Sequence, residues 1–246
     1  MFESFINPLL APLLDLPPLA SITIIALGIS ILITLVYRWM TDQDLMKSLK
    51  DEMKKLQKEM KELKHDPKKM MAVQKQAMEK NMKYMMHSMK PTLITFLPII
   101  IIFGWLNGHL AFHPIAPGQE FTTTLIAKTG GSVTITVPEG VEIIGGAVQE
   151  IKNGLAVWTL KGEAGQYLLE YDMDGRTYTK ELLITEERAY KTPVEKKKDD
   201  YVASISIDNE KIRPLNLFGW RLGWLGTYII LSIVFSMTLR KILKLH

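Results

Sequence analysis

The chain has 246 residues, of which 47% are hydrophobic and 23% are charged, and its formal net charge at pH 7 is +4. It contains no cysteine, which excludes disulfide bonds, cysteine-based metal sites and thiol catalysis. The apolar and the charged residues fall in separate blocks, so each block has to be examined by itself.

The first apolar block follows a short N-terminal segment. Residues 1–18 carry only the acidic charges of Glu3 and Asp15, and so lack the basic start of a signal peptide. Residues 19–38 are apolar almost up to Arg38, which is close to the roughly 20 residues that a membrane-spanning helix needs. We therefore predict an N-terminal segment over residues 1–18 and a first transmembrane helix over residues 19–38.

Residues 39–90 are dominated by Lys, Glu and Met. In the first half of this block, apolar residues recur in alternating steps of three and four residues, at Met46, Leu49, Met53, Leu56, Met60 and Leu63. This spacing predicts the packing seam of a solvated helix. The seam stops at Asp66-Pro67, because proline lacks a backbone donor and disfavours a helix at the residue before it. A second arm follows, so the block predicts an antiparallel helical hairpin.

Eleven of the 14 methionines lie between Met40 and Met89. One interpretation is that methionine fills the seam between the two arms. The other is that it provides an adaptable surface for hydrophobic protein segments, because its side chain is unbranched and polarizable. Met86 beside Met85 widens the apolar face and favours the second interpretation. The candidate client-capture residues of the second arm are Met71, Met78, Met82, Met85, Met86 and Met89.

Two further apolar blocks predict two further transmembrane helices. The first of them, residues 91–110, contains Pro91 near its start and Pro98 within it, where we expect a kink. The other covers residues 220–239, where Trp220 and Trp224 fit an aromatic belt at the membrane interface.

Charge predicts the orientation of these three helices. Residues 38–90 contain 14 Lys or Arg and 8 Asp or Glu, a net charge of +6, whereas residues 107–219 contain 12 and 16, a net charge of −4. Positively charged segments stay in the cytoplasm. We therefore predict that the N-terminus is external, that the hairpin over residues 39–90 and the tail over residues 240–246 are cytoplasmic, and that residues 111–213 are external.

The external segment has the pattern of a small β-sandwich. Its candidate strands are residues 121–126, 132–137, 155–160, 166–171, 177–184 and 204–207. Asp174-Gly175 between the fourth and the fifth of these is a strong signal for a two-residue hairpin turn. Residues 191–200 read as a charged loop. The predicted fold class is thus membrane α-helical, with three transmembrane helices, a cytoplasmic antiparallel helical hairpin and an external β-sandwich domain.

Polar residues form stripes along the predicted transmembrane helices. Arg38 ends one stripe with i, i+4 spacing and Arg240 ends a second. The candidate groove residues are Ser30, Thr34, Arg38, Thr95, Asn107, Tyr228, Ser232 and Ser236. Exposing such groups to hydrocarbon is costly, so the stripes favour a polar groove open to the cytoplasm and to lipid. Alternatively, the hydroxyls bond back to the preceding helical turn, and the arginines only anchor the helices at the interface.

The sequence shows no catalytic constellation. It contains no glycine-rich phosphate loop and no nucleophile motif, and His109 and His113 fit interfacial anchors better than metal ligands. We expect no enzyme activity, no cofactor, no metal site and no DNA partner.

Several short motifs resemble one family of membrane proteins. Leu97-Pro98 and the Gly-Trp-x-Asn of residues 104–107 are similar to motifs in the second span of subunit 3 of the ER membrane protein complex. Arg38 after Val36-Tyr37 resembles the arginine of that family's first span. Leu222-Gly223-Trp224 leading into Tyr228 resembles the entry to its third span. Together with the order of elements, the chain resembles the YidC/Oxa superfamily over residues 19–110 and 215–244, with its closest likeness to the archaeal YidC-like branch.

The resemblance implies a membrane protein insertase or chaperone of the plasma membrane, without an ATPase of its own. Its implied partners are nascent membrane protein clients and the lipid bilayer, with the ribosome and the Sec translocon left open. The external β domain departs from most family members, so the resemblance implies nothing about its role. The alternative function is a membrane scaffold or sensor, in which an external β domain is coupled to a cytoplasmic coiled coil that dimerises through the hairpin seam.

Overall fold

The computed structural model describes residues 3–63 and 65–243. The helices in this part of the chain are α1 (Glu3–Leu10), a 3₁₀ turn (Ala11–Asp15), α2 (Pro18–Met40), α3 (Gln43–Glu62), α4 (Pro67–His109) and α5 (Trp224–Ile242). Three of these described helices, α2, α4 and α5, are long and apolar enough to cross a membrane. The prediction of three helices that could cross a membrane is therefore confirmed. The helix and the 3₁₀ turn within residues 3–15 were not predicted.

The chain divides into two compact units. The first, called the β unit here, comprises Glu3–Pro18 and Gly104–Trp224. The second, called the helical unit, comprises Leu19–Phe103 and the chain from Leu225 onward. Helix α4 contributes residues to both units, since its last six residues belong to the β unit.

In the helical unit, α2 buries one stripe of its surface. The buried residues recur in steps of three and four, at Ile22, Ile25, Ala26, Ile29, Ser30, Thr34 and Tyr37. Asp42 then begins α3, where its side chain accepts hydrogen bonds from the backbone N–H groups of Asp44 and Leu45. Asp66 begins α4 in the same way by accepting from Lys69 N–H, and Pro67 occupies the first helical position, which suits proline.

Helices α3 and α4 pack against each other within the chain. Met46 and Leu49 of α3 and Val73 of α4 are buried, and the Glu52 carboxylate lies 2.7 Å from the ammonium of Lys80. The Lys80 hydrogen bond lowers the pKa of Glu52 below its ordinary value. Two of the six residues predicted for the seam are thus buried within the chain, and the other four are half-buried.

Helix α4 is continuous for 43 residues, or about 65 Å at 1.5 Å per residue. The sequence predicted separate elements on either side of residue 90, but the helix passes through both Pro91 and Pro98. Each proline removes a backbone donor, so the helix continues through both positions with one backbone hydrogen bond fewer at each. The second arm and the predicted second membrane helix are therefore one continuous helix.

Two sheets form the main body of the β unit. Its described strands are β1 (Phe121–Ala127), β2 (Ser132–Thr136), β3 (Val141–Ile144), β4 (Val148–Glu150), β5 (Leu155–Gly162), β6 (Gly165–Met173), β7 (Arg176–Ile184), β8 (Val194–Lys196), β9 (Val202–Ile207), β10 (Leu215–Leu217) and β11 (Trp220–Leu222). Their order is β3-β5-β1-β9-β8 in one sheet and β4-β2-β6-β7 in the other, with β10 and β11 as a separate pair. All neighbouring strands within these sheets are antiparallel.

The six predicted strands are all present, and Asp174-Gly175 closes the β6–β7 hairpin with φ angles of 53° and 74°. Positive φ at both central residues defines a type I′ turn, as the Asp-Gly pair predicts. Strands β3, β4, β8, β10 and β11 were not predicted. The prediction of a loop over residues 191–200 is wrong for β8, which is a short, lysine-bearing edge strand.

The start of the third membrane helix also differs from the prediction. The sequence placed Trp220 at the beginning of this helix, whereas Trp220 lies in β11 and α5 begins at Trp224. Positive φ angles at Phe218 (51°) and Gly219 (93°) turn the chain back on itself between β10 and β11. A tight turn of this kind cannot continue as a helix.

Both large sheets contribute to one hydrophobic core. It contains Leu125 and Trp158 from one sheet and Val133 and Tyr171 from the other. The two aromatic rings meet edge to face with 5.5 Å between centroids. Their polar ends are satisfied, because Trp158 Nε1 donates to the Ala147 carbonyl and the Tyr171 and Thr123 hydroxyls are hydrogen-bonded at 2.6 Å. Burial raises the pKa of Tyr171.

Two lysine side chains form hydrogen bonds near the outer edge of β7. Lys197 Nζ donates to the Thr179 carbonyl at 3.0 Å, and Lys180 Nζ donates to the Thr192 carbonyl at 2.6 Å. Lys180 is buried, which lowers its pKa, while Glu195 and Glu181 oppose this shift. The Thr179 carbonyl of this edge strand is thus occupied by Lys197 and not open to pairing with another strand.

We predict that Gly162→Ala destabilises the β unit by about 1–3 kcal/mol, because the added methyl overpacks a filled site. A Cβ at this position of β5 would lie 2.7 Å from Ile184 Cδ1 and 2.9 Å from the Gly140 carbonyl oxygen. Hydrogen exchange of β5 peptides in the full chain measures the loss as faster local opening. Gly130→Ala is the control, since a Cβ there meets nothing within 4 Å. Equal exchange in both variants contradicts this packing.

Candidate functional site

The six candidate methionines of α4 are all exposed, with between 45% and 67% of each residue's surface accessible. Their exposure argues against the interpretation that these methionines fill the seam between the two arms. Val73 is the buried residue of this part of α4, and Ala77 and Met78 line a surface pocket together with Met53 and Met60 of α3.

The exposed methionines form one apolar stripe that runs on into the membrane helix. At 100° per residue its members share one side of α4, roughly opposite Val73 and Ala77. We call the following residues the methionine stripe: Met78, Met82, Met85, Met89, Leu93, Phe96 and Ile100. All seven are exposed, and at 1.5 Å per residue the stripe is about 33 Å long. An apolar surface therefore leads without interruption from the lysine-rich part of α4 to its membrane-spanning part.

The polar residues predicted to line a groove are mostly inside the helical unit. Ser30, Thr34, Thr95 and Tyr228 are buried, while Ser232 and Ser236 are half-buried. The rings of Tyr228 and Phe103 pack edge to face, with 4.8 Å between their centroids. These residues therefore lie inside the helical unit and not on its outer surface.

Three of the hydroxyls bond back to their own helices. Thr34 donates to the Ser30 carbonyl at 2.6 Å, Thr95 to the Pro91 carbonyl, and Ser232 to the Ile229 carbonyl at 3.0 Å. This is the alternative that the sequence left open. Ser30 differs from them, because among the described residues its Oγ is the one buried side-chain nitrogen or oxygen without a hydrogen-bond partner.

The two arginines have different surroundings. Arg38 is exposed, whereas the guanidinium of Arg240 lies 5.2 Å from the centre of the Tyr37 ring, within cation–π range. The Tyr37 hydroxyl is in turn hydrogen-bonded to the hydroxyl of Tyr84 on α4. Neither tyrosine was among the predicted site residues, although their spacing from the polar stripes and from the α4 seam could have indicated a position in the site.

Asn107 belongs to the β unit, separately from the other candidate groove residues. Its backbone carbonyl accepts a hydrogen bond from the Tyr190 hydroxyl. Two residues earlier, the buried Trp105 donates its Nε1–H to the side-chain oxygen of Asn7 at 2.7 Å. His109 stacks on Trp105 with 4.7 Å between ring centroids. The Gly-Trp-x-Asn segment thus holds the N-terminal segment and a loop of the β unit.

No metal-binding arrangement is present in residues 3–63 and 65–243, as judged by groups of three or more His, Cys, Asp or Glu. His109 Nδ1 is hydrogen-bonded to the Trp105 carbonyl at 2.9 Å, so this nitrogen has a structural partner.

We predict that Asn7→Ala loosens the N-terminal segment, because it leaves the buried Trp105 Nε1–H without an acceptor at a cost of about 1–3 kcal/mol. Hydrogen exchange of residues 3–18 in the full chain measures this as faster exchange. Asn7→Asp keeps an acceptor oxygen and should retain most of the protection. If both variants exchange at the same rate, this hydrogen bond does not hold the segment.

Comparison with known proteins gives one match. A family model described as integral membrane protein EMC3/TMCO1-like matches residues 3–139, which is more than half of the chain. The matched region runs from α1 through β2, and so includes the motifs around Arg38, Pro98 and Trp105. It ends before residues 215–244, where the third span was expected to share the resemblance. No curated protein and no solved structure matches the chain.

Proposed function

We propose that this chain, which belongs to the EMC3/TMCO1-like family of integral membrane proteins within the YidC/Oxa1/Alb3 superfamily, guides hydrophobic protein segments from the cytoplasm into the bilayer. Membership of this family is consistent with insertion of membrane proteins in general. The observation that carries the proposal is the methionine stripe, which is exposed along its whole length and continues into a membrane helix.

The stripe has the properties that a transient client surface needs. A contiguous exposed apolar surface is unusual on a solvated helix and marks an interaction site. Methionine can adapt to client segments of different shape, because it is flexible and polarizable. Exposed lysines on the same helix, such as Lys83 and Lys90, keep it soluble and attract it to anionic lipid headgroups. A client that moves from Met78 towards Ile100 stays in contact with apolar side chains.

The buried hydroxyls support a second part of the proposal. Ser30, Thr34, Thr95 and Tyr228 give the helical unit a polar interior, and we propose that it opens as a groove. Arg38, Ser232 and Ser236, which belong to the same unit, would extend that groove. An arginine at the cytoplasmic end would attract the acidic or polar tail of a client. Partitioning of the client's apolar segment into lipid supplies the driving force, so no nucleotide hydrolysis and no cofactor are required.

This function requires a defined topology. We propose that α3 and the part of α4 up to Lys90 form a cytoplasmic hairpin, that the N-terminus and the β-sandwich are outside the cell, and that the C-terminus is cytoplasmic in the plasma membrane. The support is the net charge of +6 over residues 38–90 against −4 over residues 107–219. The proposed partners are nascent membrane protein clients and lipid, with the ribosome or the Sec translocon as the source of the clients.

The packing of α3 bears on the alternative function. A scaffold or sensor that dimerises as a coiled coil needs an apolar seam available to a second copy. Met46 and Leu49 are buried within a single chain, so this part of the seam is not available to a second copy. This observation favours the insertion function.

Site-specific photocrosslinking tests the proposed client path. Crosslinkers at Met85, Arg38 and Thr34 are combined with stalled ribosome–nascent chains that expose one membrane segment. We expect crosslinks to the client that begin at Met85 and reach Thr34 as the nascent chain lengthens. Gln76 is the control, because it is exposed on α4 away from the stripe. Crosslinks to a second copy of the chain in place of the client support the scaffold function and contradict insertion.

We predict that replacing Met78, Met82 and Met85 together by glutamine weakens client capture while leaving the fold intact. Each methionine that buries about half of its side chain on a client contributes about 1 kcal/mol. Losing three of them should lower the apparent affinity roughly 100-fold. Glutamine has a helix propensity close to that of methionine, and all three positions are exposed.

Insertion of a radiolabelled client into proteoliposomes, scored by protease protection, measures this loss. The matched control replaces the same three methionines by leucine, which keeps the apolar area and should keep most of the activity. If the glutamine variant inserts clients as well as the leucine variant does, the stripe is not the capture surface.

A further inference from the structure

The β10–β11 hairpin of the β unit has an unusual composition for an exposed hairpin. Its strands pair antiparallel with Leu215 opposite Leu222 and Leu217 opposite Trp220. The two-residue turn consists of Phe218 and Gly219, both at positive φ. Phe218 is fully exposed, and Trp220 has 77% of its surface accessible.

The two faces of this hairpin differ in polarity. Directly opposed residues of an antiparallel pair project to the same face. The two leucine-containing pairs therefore make one face apolar, and Asn216 with Arg221 makes the other face polar. Asn216 also accepts a hydrogen bond from the backbone N–H of Gly219, which fixes the turn. The hairpin is thus amphipathic, with an aromatic tip.

Such a hairpin is poorly suited to water. A bulky residue at positive φ is uncommon, and turns of this type normally use Asn, Asp or Gly at the position that Phe218 occupies. An isolated two-stranded hairpin is also marginally stable in water unless its apolar face is covered. The β6–β7 turn has nearly the same geometry, with φ angles of 53° and 74°, and has Asp174 at the equivalent position.

We infer that the hairpin Leu215–Leu222 inserts its Phe218 tip and its apolar face into the headgroup region of the membrane that α5 crosses. Gly223 alone separates β11 from Trp224, where α5 begins, so the hairpin is tethered directly to a membrane helix. This inference rests on the chain being an integral membrane protein, and it does not depend on the insertion function.

The charges and the aromatic residues of this region fit a lipid surface. No Asp or Glu occurs after Glu210, whereas Arg213 and Arg221 are available to bind lipid phosphates. Tryptophan is enriched where protein meets the headgroup region, because one part of its ring is apolar and the other carries an N–H donor. Trp220 therefore occupies an interfacial position on a hairpin, outside the membrane helix.

Spin labels test the depth of the hairpin tip. The chain has no cysteine, so Phe218→Cys and Asp174→Cys each give one unique labelling site at equivalent positions of two similar turns. The full chain is reconstituted into vesicles of equal parts phosphatidylcholine and phosphatidylglycerol. Collisions with oxygen and with a nickel chelate then report depth. We expect the label at position 218 about 5–10 Å below the phosphates and the label at position 174 in water.

Two results would overturn the inference. One is a label at position 218 that the nickel chelate reaches as readily as the label at position 174. The other is a label shielded from both oxygen and the chelate, which means that protein covers the tip.

A second variant separates folding from insertion. Phe218→Asp gives this turn the Asp-Gly pair of the β6–β7 turn, so the hairpin should still form. A label at Trp220→Cys should then move towards water relative to the same label with Phe218 present. An unchanged depth would also overturn the inference.

Discussion

Helix α4 has two opposite faces, one buried and one exposed. Which face is buried determines where the helical unit exposes its apolar surface. Val73 is buried and Ala77 lines a surface pocket with Met53 and Met60 of α3, whereas the six candidate methionines are exposed. Had the methionines formed the seam, the apolar surface would have been hidden between the two arms. The smaller contact face therefore creates the exposed stripe, and the continuity of α4 through Pro91 and Pro98 carries that stripe into the membrane-spanning part.

The sequence predicted which segments form elements better than it predicted where they end. The six longer strands and the Asp174-Gly175 turn were predictable, because alternation and turn chemistry act locally. Strands β3, β4 and β8 are only three or four residues long and depend on pairing with distant strands, so no local pattern reveals them. Trp220 was assigned to a helix because a short apolar hairpin and the first turn of a membrane helix have similar compositions. Only the positive φ angles at Phe218 and Gly219 separate the two.

The candidate site was predictable in composition and less so in geometry. On α4, the methionines and the neighbouring set of smaller residues both recur with a helical period. Hydrophobicity alone favours the methionines as the buried seam. In the structure the smaller side chains are the more buried ones, and which side chains fit there depends on the shape of α3. Similarly, i, i+4 spacing fits a hydroxyl that lines a groove and a hydroxyl that bonds to its own helix. Thr34 and Thr95 do the latter. The Asn7–Trp105 hydrogen bond joins residues 98 positions apart, and no local pattern could predict it.

The state of these hydroxyls bears on how a groove could release its client. A buried hydroxyl that lacks a partner gains strongly from binding, whereas one already bonded to its own backbone gains little. Thr34, Thr95 and Ser232 are of the second kind, and they make the interior polar without holding a passing segment tightly. Ser30 is of the first kind, with a buried Oγ that has no partner among the described residues. For the proposed insertion function, a groove with many satisfied hydroxyls and one open hydroxyl combines entry for polar groups with weak retention. Weak retention matters because an insertase has to transfer each client to the lipid.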